Sequence, residues 1–480
     1  MRPGSSSIQS GFTLLSALEE SDHEWIFTTG SEQPTPAGAV IVTEGVRGEF
    51  IYFVLDGLFA VSSAALGGRE IARLGPGQIF GEMSFLEDRP TSATISAIED
   101  SRVLAVSRDQ LEARLAAAPG MAARFYKALA VIAAGRLREL LGTLARWMEA
   151  EDRLPVAPEV LERWQQIADR TQRFKQQILQ ADKSDAAAAD LPGALAEFSK
   201  FVTAAIGDAS VETVDARDEL GARIQREILP YLLKSVTVER LYYKPRGYPC
   251  DYETLALIAA DQPAGTRQLG ALLDRAFLQL PVIRAVRHRK DALVTAIGEA
   301  ARSASAGLRV TGIGCGAADP LFDAFTASDQ AAMTGTIIDF DTHGLGAAET
   351  RRKALRLDER VQLVSTNIVR LVSGRGELEV EEQDVIYGLT VADYLDDRLL
   401  LRLLNQAWRK LRPGGQLLLS GLHRSNPDRA FLDHVIDWKA AHRSEEEMNA
   451  LFNQSNFQSP ASHFGFDREK ITFLAACRKG

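Results

Sequence analysis

Three stretches of the chain carry residue types that could do chemistry. The first, LRVTGIGCGAADP from Leu308 to Pro320, reads as a strand running into a glycine turn at Gly312, Gly314 and Gly316. Glycine there lets the backbone approach a ligand closely and opens a helix. The next strand, TIIDFD, ends in Asp339, 25 residues beyond Gly314 (339 − 314), with Asp341 two residues later. An acid at that place can accept hydrogen bonds from ribose hydroxyls. Both features also have plain readings, since tight strand–helix turns use glycine for steric reasons and an acid in a turn can simply be solvated. The second stretch, RLYYKPRGYPCDYETL from Arg240 to Leu255, sets Lys244, Arg246, Tyr248 and Asp251 beside two prolines and a glycine. So many functional groups on a rigid, non-helical segment suggest a site loop, although aromatics in a structural turn would look similar. The third, FGEMSFLEDRPTSATISA from Phe80 to Ala97, has the look of a phosphate cradle.

The elements that must position these residues fall into three regions. From Gly38 to Val106 short apolar runs alternate with glycine turns (AVIVTEG, EFIYFVLDG, LFAVSSA, REIARLGPG, ATISA, RVLAVS), which predicts a small antiparallel barrel or sandwich. From Asp109 to about Arg302 apolar residues recur at helical spacing, with KSDAAAADLPGA as the expected loop inside that region. From Leu308 onward LRVTGIG, GTIIDFD, VQLVST, DVIYGLT, GQLLLSG and ITFLAAC alternate with helices, the pattern of a doubly wound sheet. The expected domains are therefore 1–147, 148–303 and 304–480, a multidomain chain with an all-β barrel, a helical middle and an α/β Rossmann-like core.

The totals narrow the function classes. A chain of 480 residues is too long for one core. A net charge of −9 argues against a surface built for nucleic acid. Three scattered cysteines, Cys250, Cys315 and Cys477, fit neither a disulfide framework nor a metal site and suggest a reducing compartment. With no leader pattern and no apolar run long enough to span a bilayer, a cytoplasmic location is expected.

The spacing of Gly45, Gly57, Gly75 and Gly77 before FGEM resembles the cyclic nucleotide-binding domain of catabolite activator proteins and regulated kinases, over roughly residues 20–145. The resemblance implies an effector site made by Gly81, Glu82, Met83 and Ser84, with N–H groups of a short helix on the cyclic phosphate and Glu82 on the ribose. It also implies an arginine after Pro90, but Thr91 stands there, followed by Ser92. Arg89 lies on the wrong side of Pro90. Loss of such a charge-assisted pair costs roughly 1.5–3 kcal/mol. A packing or dimerising role is therefore set ahead of cAMP or cGMP binding, and no helix-turn-helix reader follows the barrel.

DVIYGLTVADYL, the run LRPGG before the fifth strand, and the closing hairpin SHFGFDREKITFLAACRK together resemble class I S-adenosylmethionine-dependent methyltransferases, whose sheet ends in an antiparallel strand. The resemblance implies a cofactor site of Gly312, Gly314, Gly316, Asp339 or Asp341, Asn367 and Leu389, with Asp393 and Tyr394 near the transferred methyl group. KPRGYPCDYE, AVRHR, GLTVADYLDDR and NPDRAFLDHVIDWKAAHRSEEEM, in that order, resemble bacterial methyltransferases assigned to 3-hydroxypalmitic acid methyl ester biosynthesis. Many relatives have glycine where this chain has Cys250, a departure that could alter the loop's backbone. Cys250 is read as a packing residue, because the Pro-Cys pair precedes the first strand of the sheet and so does not match the nucleophile of cytosine methylases.

The implied substrate is a small or lipid carboxylate. A carboxylate is already nucleophilic at neutral pH and needs orienting cations rather than a strong base, for which Lys244, Arg246, Arg284 and His288 are candidates. His423 is a further candidate contact. Arg284 and His288, four residues apart on a helix, also read as a solvated pair, and His423 as a structural histidine. Two other readings stand beside this one: a receptor-like protein that binds cofactor without turnover, and a methyltransferase acting on another small molecule or on protein. Regulation is expected to run through the helices after Asp109, where RFYKALAVIAAGRLRELL is apolar enough for a homodimer interface or for burial against the barrel.

Overall fold

The computed structural model describes residues 14, 17–64, 67–87, 89–147, 158–207, 214–304, 307–316, 319–327, 333–366, 371, 378 and 380–480. Helix α1 (Glu20–Thr29) leads into strands β1 (Ser31–Thr35), β2 (Val40–Val42), β3 (Phe50–Asp56), β4 (Phe59–Ser63), β5 (Arg69–Leu74), β6 (Ile79–Phe80), β7 (Thr94–Ala97) and β8 (Ser101–Ser107), with α2 (Glu82–Glu87) after β6. They form two four-stranded sheets, β1-β8-β3-β6 and β2-β7-β4-β5. Strand β3 explains the unbroken apolar run FIYFVL. Tyr52 and Val54 face the space between the sheets, while Ile51, Phe53 and Leu55 face the helices on the other side. A strand covered on both faces needs no polar alternation. Helices α3 (Arg108–Ala117) and α4 (Pro119–Trp147) close the barrel.

The helical region comprises α5 (Pro158–Ala181), α6 (Asp185–Gly207), α7 (Val214–Leu232), α8 (Val236–Tyr243), α9 (Tyr252–Ala260), α10 (Arg267–Leu278) and α11 (Pro281–Ser303). The loop expected at KSDAAAADLPGA is not there: from Asp185 on, that stretch is the first half of α6. Alanine has the highest helix propensity, Asp185 suits the positive end of the helix dipole, and Leu191, Leu195, Phe198 and Val202 bury one stripe. Together these outweigh the hydrogen bond lost at Pro192.

The third region contains β9 (Arg309–Ile313), α12 (Asp319–Ala327), β10 (Thr334–Asp339), α13 (Thr342–Ala354), β11 (Val361–Ser365), β12 (Gln383–Gly388), α14 (Asp397–Lys410), β13 (Leu411–His423), β14 (His442–Arg443), α15 (Glu445–Gln454), β15 (His463–Phe466) and β16 (Thr472–Arg478). The sheet order is β11-β10-β9-β12-β13-β16-β15, with β14 beside β13. β9 to β13 run parallel, and β16 is antiparallel to both β13 and β15. The order reverses between β9 and β12, which opens a crevice at their carboxyl ends. The LRPGG run expected before the fifth strand of the sheet lies within β13, where the register against β12 jumps from Gln383–Leu411 to Val385–Gln416. The extra residues bulge out, with Gly414 at φ 78° donating its N–H to Lys479 O. Among the described residues no helix is long and apolar enough to cross a membrane.

The helical region and the sheet region share a core across the break in sequence pattern near 303. After β13 a helical turn (Arg429–Phe431) runs into a π-helix (Leu432–Ile436), and Phe431, Leu432 and Val435 share a core with Phe198, Ile224 and Ile228. Asp428 ties the join: its carboxylate accepts from Ser199 Oγ at 2.7 Å and from the Val282 N–H at 3.1 Å. The barrel is joined too, because one apolar cluster runs from Leu111 and Phe125 to Leu400, Leu404 and Met448. Asp428→Ala is expected to lower stability by about 1–3 kcal/mol for each buried donor it orphans, read as a shift in the urea midpoint. A change under half a kilocalorie would show that the join does not depend on this carboxylate.

Candidate functional site

At the β9–β12 switch the Gly314–Gly316 turn, Asp339 and the strap Lys244–Asp251 converge on one cavity of about 60 Å³. Gly314 (φ 59°) donates its N–H to Ile338 O at 2.9 Å, and Gly316 (φ 52°) donates to Asp339 Oδ2 at 2.6 Å. A Cβ on Gly316 would lie 2.8 Å from that of Tyr252, so both space and φ require glycine. Gly312 has a different role from the one expected. It is inside β9, and a Cβ there would meet the Tyr387 ring at 2.6 Å, so its absent side chain makes room for a core tyrosine.

The two acids divide the work. Asp339 closes β10, lines the cavity, and accepts from the N–H groups of Gly316 and Asp341. Burial pushes its carboxyl up to about 6, against the lowering effect of those N–H groups. Asp341 caps α13 through the His343 and Gly344 N–H groups and does not line the cavity. Its two oxygens take Arg246 Nε at 2.8 Å and Nη2 at 2.9 Å, and Oδ2 also takes the Tyr248 hydroxyl at 2.8 Å. Burial works against the Arg246 charge, but the hydrogen bonds and charge of Asp341 override it and hold the guanidinium above its ordinary value.

The strap is anchored at every turn. Lys244 (φ 46°) ends α8, is fully buried, and pairs with Asp437, itself at φ 59° just past the π-helix. Pro249 O accepts from the Tyr394 hydroxyl at 3.0 Å. Asp251 caps α9, and both of its carboxylate oxygens accept from Arg240 Nη2, at 3.1 and 2.9 Å. Cys250 is buried and lines the cavity at φ 55°, so the strap keeps the left-handed backbone that suits glycine while holding a cysteine. Burial raises the Cys250 thiol far above its usual value, and burial likewise raises Tyr248 and Tyr394.

Several expected contacts point elsewhere. Lys244, Arg246 and Asp251 spend their charges on protein partners. Asp393 is buried under the site, paired with Arg289 at 2.7 Å and accepting from the Leu422 N–H. Burial raises its carboxyl despite the Arg289 charge. Arg284 pairs with Glu469 across the surface and His288 is exposed. His423 Nδ1 meets Ser425 Oγ at 2.7 Å, away from the cavity. Leu389 lines a smaller pocket behind Cys315, and its carbonyl accepts from Arg289. Asn367 lies outside the described residues. No Lys, Arg or His is among the described residues that line the cavity.

Residues the sequence reading passed over include Arg289, Phe340, Thr390, Val391 and Leu395. Arg289 had a signal: with Val286, Leu293 and Ile297 it keeps the three- and four-residue spacing of the buried stripe of α11. A charged residue on that stripe must find a buried partner.

In the barrel, Thr91 is buried, and its hydroxyl donates to Thr43 O at 2.6 Å and lies 2.9 Å from Val46 O. It therefore closes the cassette on itself. Ser84 Oγ donates to Arg89 O and accepts from the Gly48 N–H at 3.3 Å. Glu82 is buried, Met83 is half-exposed, and Ser92 Oγ sits 3.8 Å from the Met83 sulfur. Gly81, at φ 86°, has Phe50 O where a Cβ would go.

Residues 32–117 match the family model of the cyclic nucleotide-binding domain, and the N-terminal part of the chain carries that domain. The cyclic AMP receptor protein of Thermus thermophilus is 37% identical over 126 residues, 25% of this chain and 56% of that protein. A cGMP-dependent protein kinase of Toxoplasma gondii is 40% identical over 75 residues, 16% of this chain and 7% of that protein. The chain spans about half the length of the first curated relatives it matches. Among solved structures, a possible exported protein of Bordetella parapertussis is 20% identical with a TM-score of 0.44, covering 58% of this chain and 96% of that one. Magnesium protoporphyrin IX methyltransferase of Synechocystis PCC 6803, solved with bound SAM, is 11% identical with a TM-score of 0.32, covering 42% and 84%.

The strain at Cys250 makes a prediction. Cys250→Gly relieves about 1–2 kcal/mol of left-handed backbone cost while removing a small buried group, so its stability should stay within about 1 kcal/mol of the parent. Cys250→Val, branched at Cβ, should lose about 2 kcal/mol or more in a urea melt. Equal losses in both variants would show that packing alone governs this position.

Proposed function

We propose that the C-terminal half is an S-adenosylmethionine-dependent methyltransferase, that its acceptor is a small or acyl carboxylate, and that the barrel is its regulatory domain. The observation that carries this reading is the meeting of the Gly314–Gly316 turn and the Asp339 carboxylate in one cavity at the strand-order switch. The sheet's closing antiparallel strand supports it as well.

The donor set suits the cofactor. Gly314 and Gly316 line the cavity with bare backbone, and Asp339 offers a charged acceptor to a ribose diol. Bound there, S-adenosylmethionine supplies a methyl group on a positively charged sulfur. The chain's own residues then exclude water and hold the acceptor in line, the main tasks left to the protein. Leu255, Val391 and Leu395 give the cavity an apolar wall suited to an acyl group. Tyr248 and Tyr394, kept neutral by burial, donate their hydroxyls to Asp341 and to Pro249 O and so fix the wall rather than act as bases. The carboxylate acceptor rests on the four motifs beginning with KPRGYPCDYE. The lack of a cation among the described lining residues favours a second reading, cofactor binding without turnover.

Transfer of labelled methyl to 3-hydroxypalmitate, read as ester by mass spectrometry, separates the two. Ester that disappears in Asp339→Ala supports the enzyme; cofactor binding with no ester from this or other carboxylates supports the second reading.

The raised carboxyl of Asp339 adds a pH signature. Between its ordinary 3.8 and about 6 the folded chain binds more protons here than the unfolded one, so this group's contribution to stability falls as pH rises through that window. Ligand affinity should run the other way, because only the ionised carboxylate accepts from both hydroxyls. S-adenosylmethionine should bind about tenfold more weakly at pH 5 than at pH 7.5, and Asp339→Asn should flatten the profile. A profile unchanged by that substitution would exclude Asp339 as the ribose acceptor.

A further inference from the structure

We propose that the barrel holds the strap, residues 244–251, shut over the cavity, so that the barrel's state sets access to it. Calling the cavity a cofactor pocket rests on the function proposed above; the grip of barrel on strap does not.

The cavity's size requires an opening movement. It encloses about 60 Å³, whereas sites for small ligands run to roughly 300–1,000 Å³. Its strap-side wall is Tyr248 and Cys250, continued by Tyr252. A ligand of nucleoside size enters only if that wall lifts.

The barrel grips this segment at several points. Arg73 Nη1, on β5, donates to Pro245 O at 3.3 Å. Glu99, two residues past β7, sits 3.3 Å from Arg246 Nη2 through one oxygen and 2.8 Å from His343 Nε2 through the other. Gly247, at φ 82°, lies so close to the barrel that a Cβ would meet Gly75 Cα at 3.2 Å and Leu58 Cδ1 at 3.3 Å. Arg246 is therefore shared between two acids, Glu99 in the barrel and Asp341 in the sheet domain. A side chain with two charged partners on different bodies registers their relative position.

The barrel also has a short route from its cassette to this contact. Thr91 locks the loop before β7, the Glu44 N–H donates to Thr94 Oγ1 at the start of β7, and β7 ends at Ala97, two residues before Glu99. This places control at a direct barrel–strap contact rather than in the helices that follow Asp109.

Cys250 provides a built-in reporter. Its thiol is buried in the cavity wall and held protonated by that burial, so it reacts with an alkylating agent only when the strap lifts. The experiment measures iodoacetamide labelling of Cys250 by mass spectrometry in the full chain, with Cys477, buried on β16, as the internal reference. Glu99→Gln, which weakens a partly exposed ion pair, and Arg73→Gln, which removes a hydrogen bond to Pro245 O, both on the barrel side, are each expected to speed Cys250 labelling about threefold and to leave Cys477 unchanged. Unchanged Cys250 rates in both variants would overturn the proposal, as would an equal rise at Cys477, which marks general loosening. A separate arm adds saturating S-adenosylmethionine to the parent chain. Faster labelling of Cys250, as the bound ligand holds the wall outward, supports the cofactor reading, and an unchanged rate overturns that reading while the barrel-side variants still decide whether the barrel holds the strap.

Discussion

The carboxylate of Asp341 joins three parts of the chain that are distant in sequence. It caps α13 of the sheet domain, it takes a forked pair of bonds from Arg246, and it takes the hydroxyl of Tyr248. With its side chain 1% exposed, it has no water to fall back on, so its partners define where the strap can lie. Removing one partner from such a pair leaves the other charge stranded, typically at about 3–5 kcal/mol. Arg246 carries the constraint onward to Glu99, and so the cover of the cavity, the start of α13 and one end of the barrel are fixed by one cluster of charges.

That arrangement leaves Asp339 available. Two acids separated by Phe340 could have competed for the same role. Asp341 is taken up by the Arg246 guanidinium, the Tyr248 phenol and two N–H groups, whereas among the described residues Asp339 accepts from backbone N–H groups and faces the cavity. The different environments explain why Asp339 is pushed up while facing the place where a ligand would sit. Buried groups around the site follow the same logic. Asp393 meets Arg289, Lys244 meets Asp437 and Asp251 meets Arg240, so most charged residues near the cavity act on the scaffold.

Much of the architecture was legible because local pattern and burial agreed. Most strands of the three sheets stood out as apolar runs, and LRVTGIG followed by TIIDFD marked the turn and the acid now found in one cavity. Polar β1, with the sequence SEQPT, carried no such signal, since it is mostly exposed and held by pairing to β8. The alanine-rich start of α6 read as a loop because a proline and a glycine sit in it, yet tertiary packing overrides them. The site charges were harder. Sequence shows that KPRGYPCDYE is rich in functional groups, but whether a lysine faces a ligand or a buried aspartate depends on Asp437, nearly two hundred residues away. At Cys250 the chain is held at φ 55°, a left-handed backbone that favours glycine, which the sequence marks only as an unusual residue in the strap.

The most direct test of the account is a crystal structure of the full chain with S-adenosylhomocysteine, the product form of the proposed cofactor. The account predicts density against Gly314 and Gly316, ribose hydroxyls within hydrogen-bond distance of Asp339, and Tyr248 and Cys250 displaced outward from their present wall. Density at another site, or a ribose held by Asp341 with the strap unmoved, would contradict it.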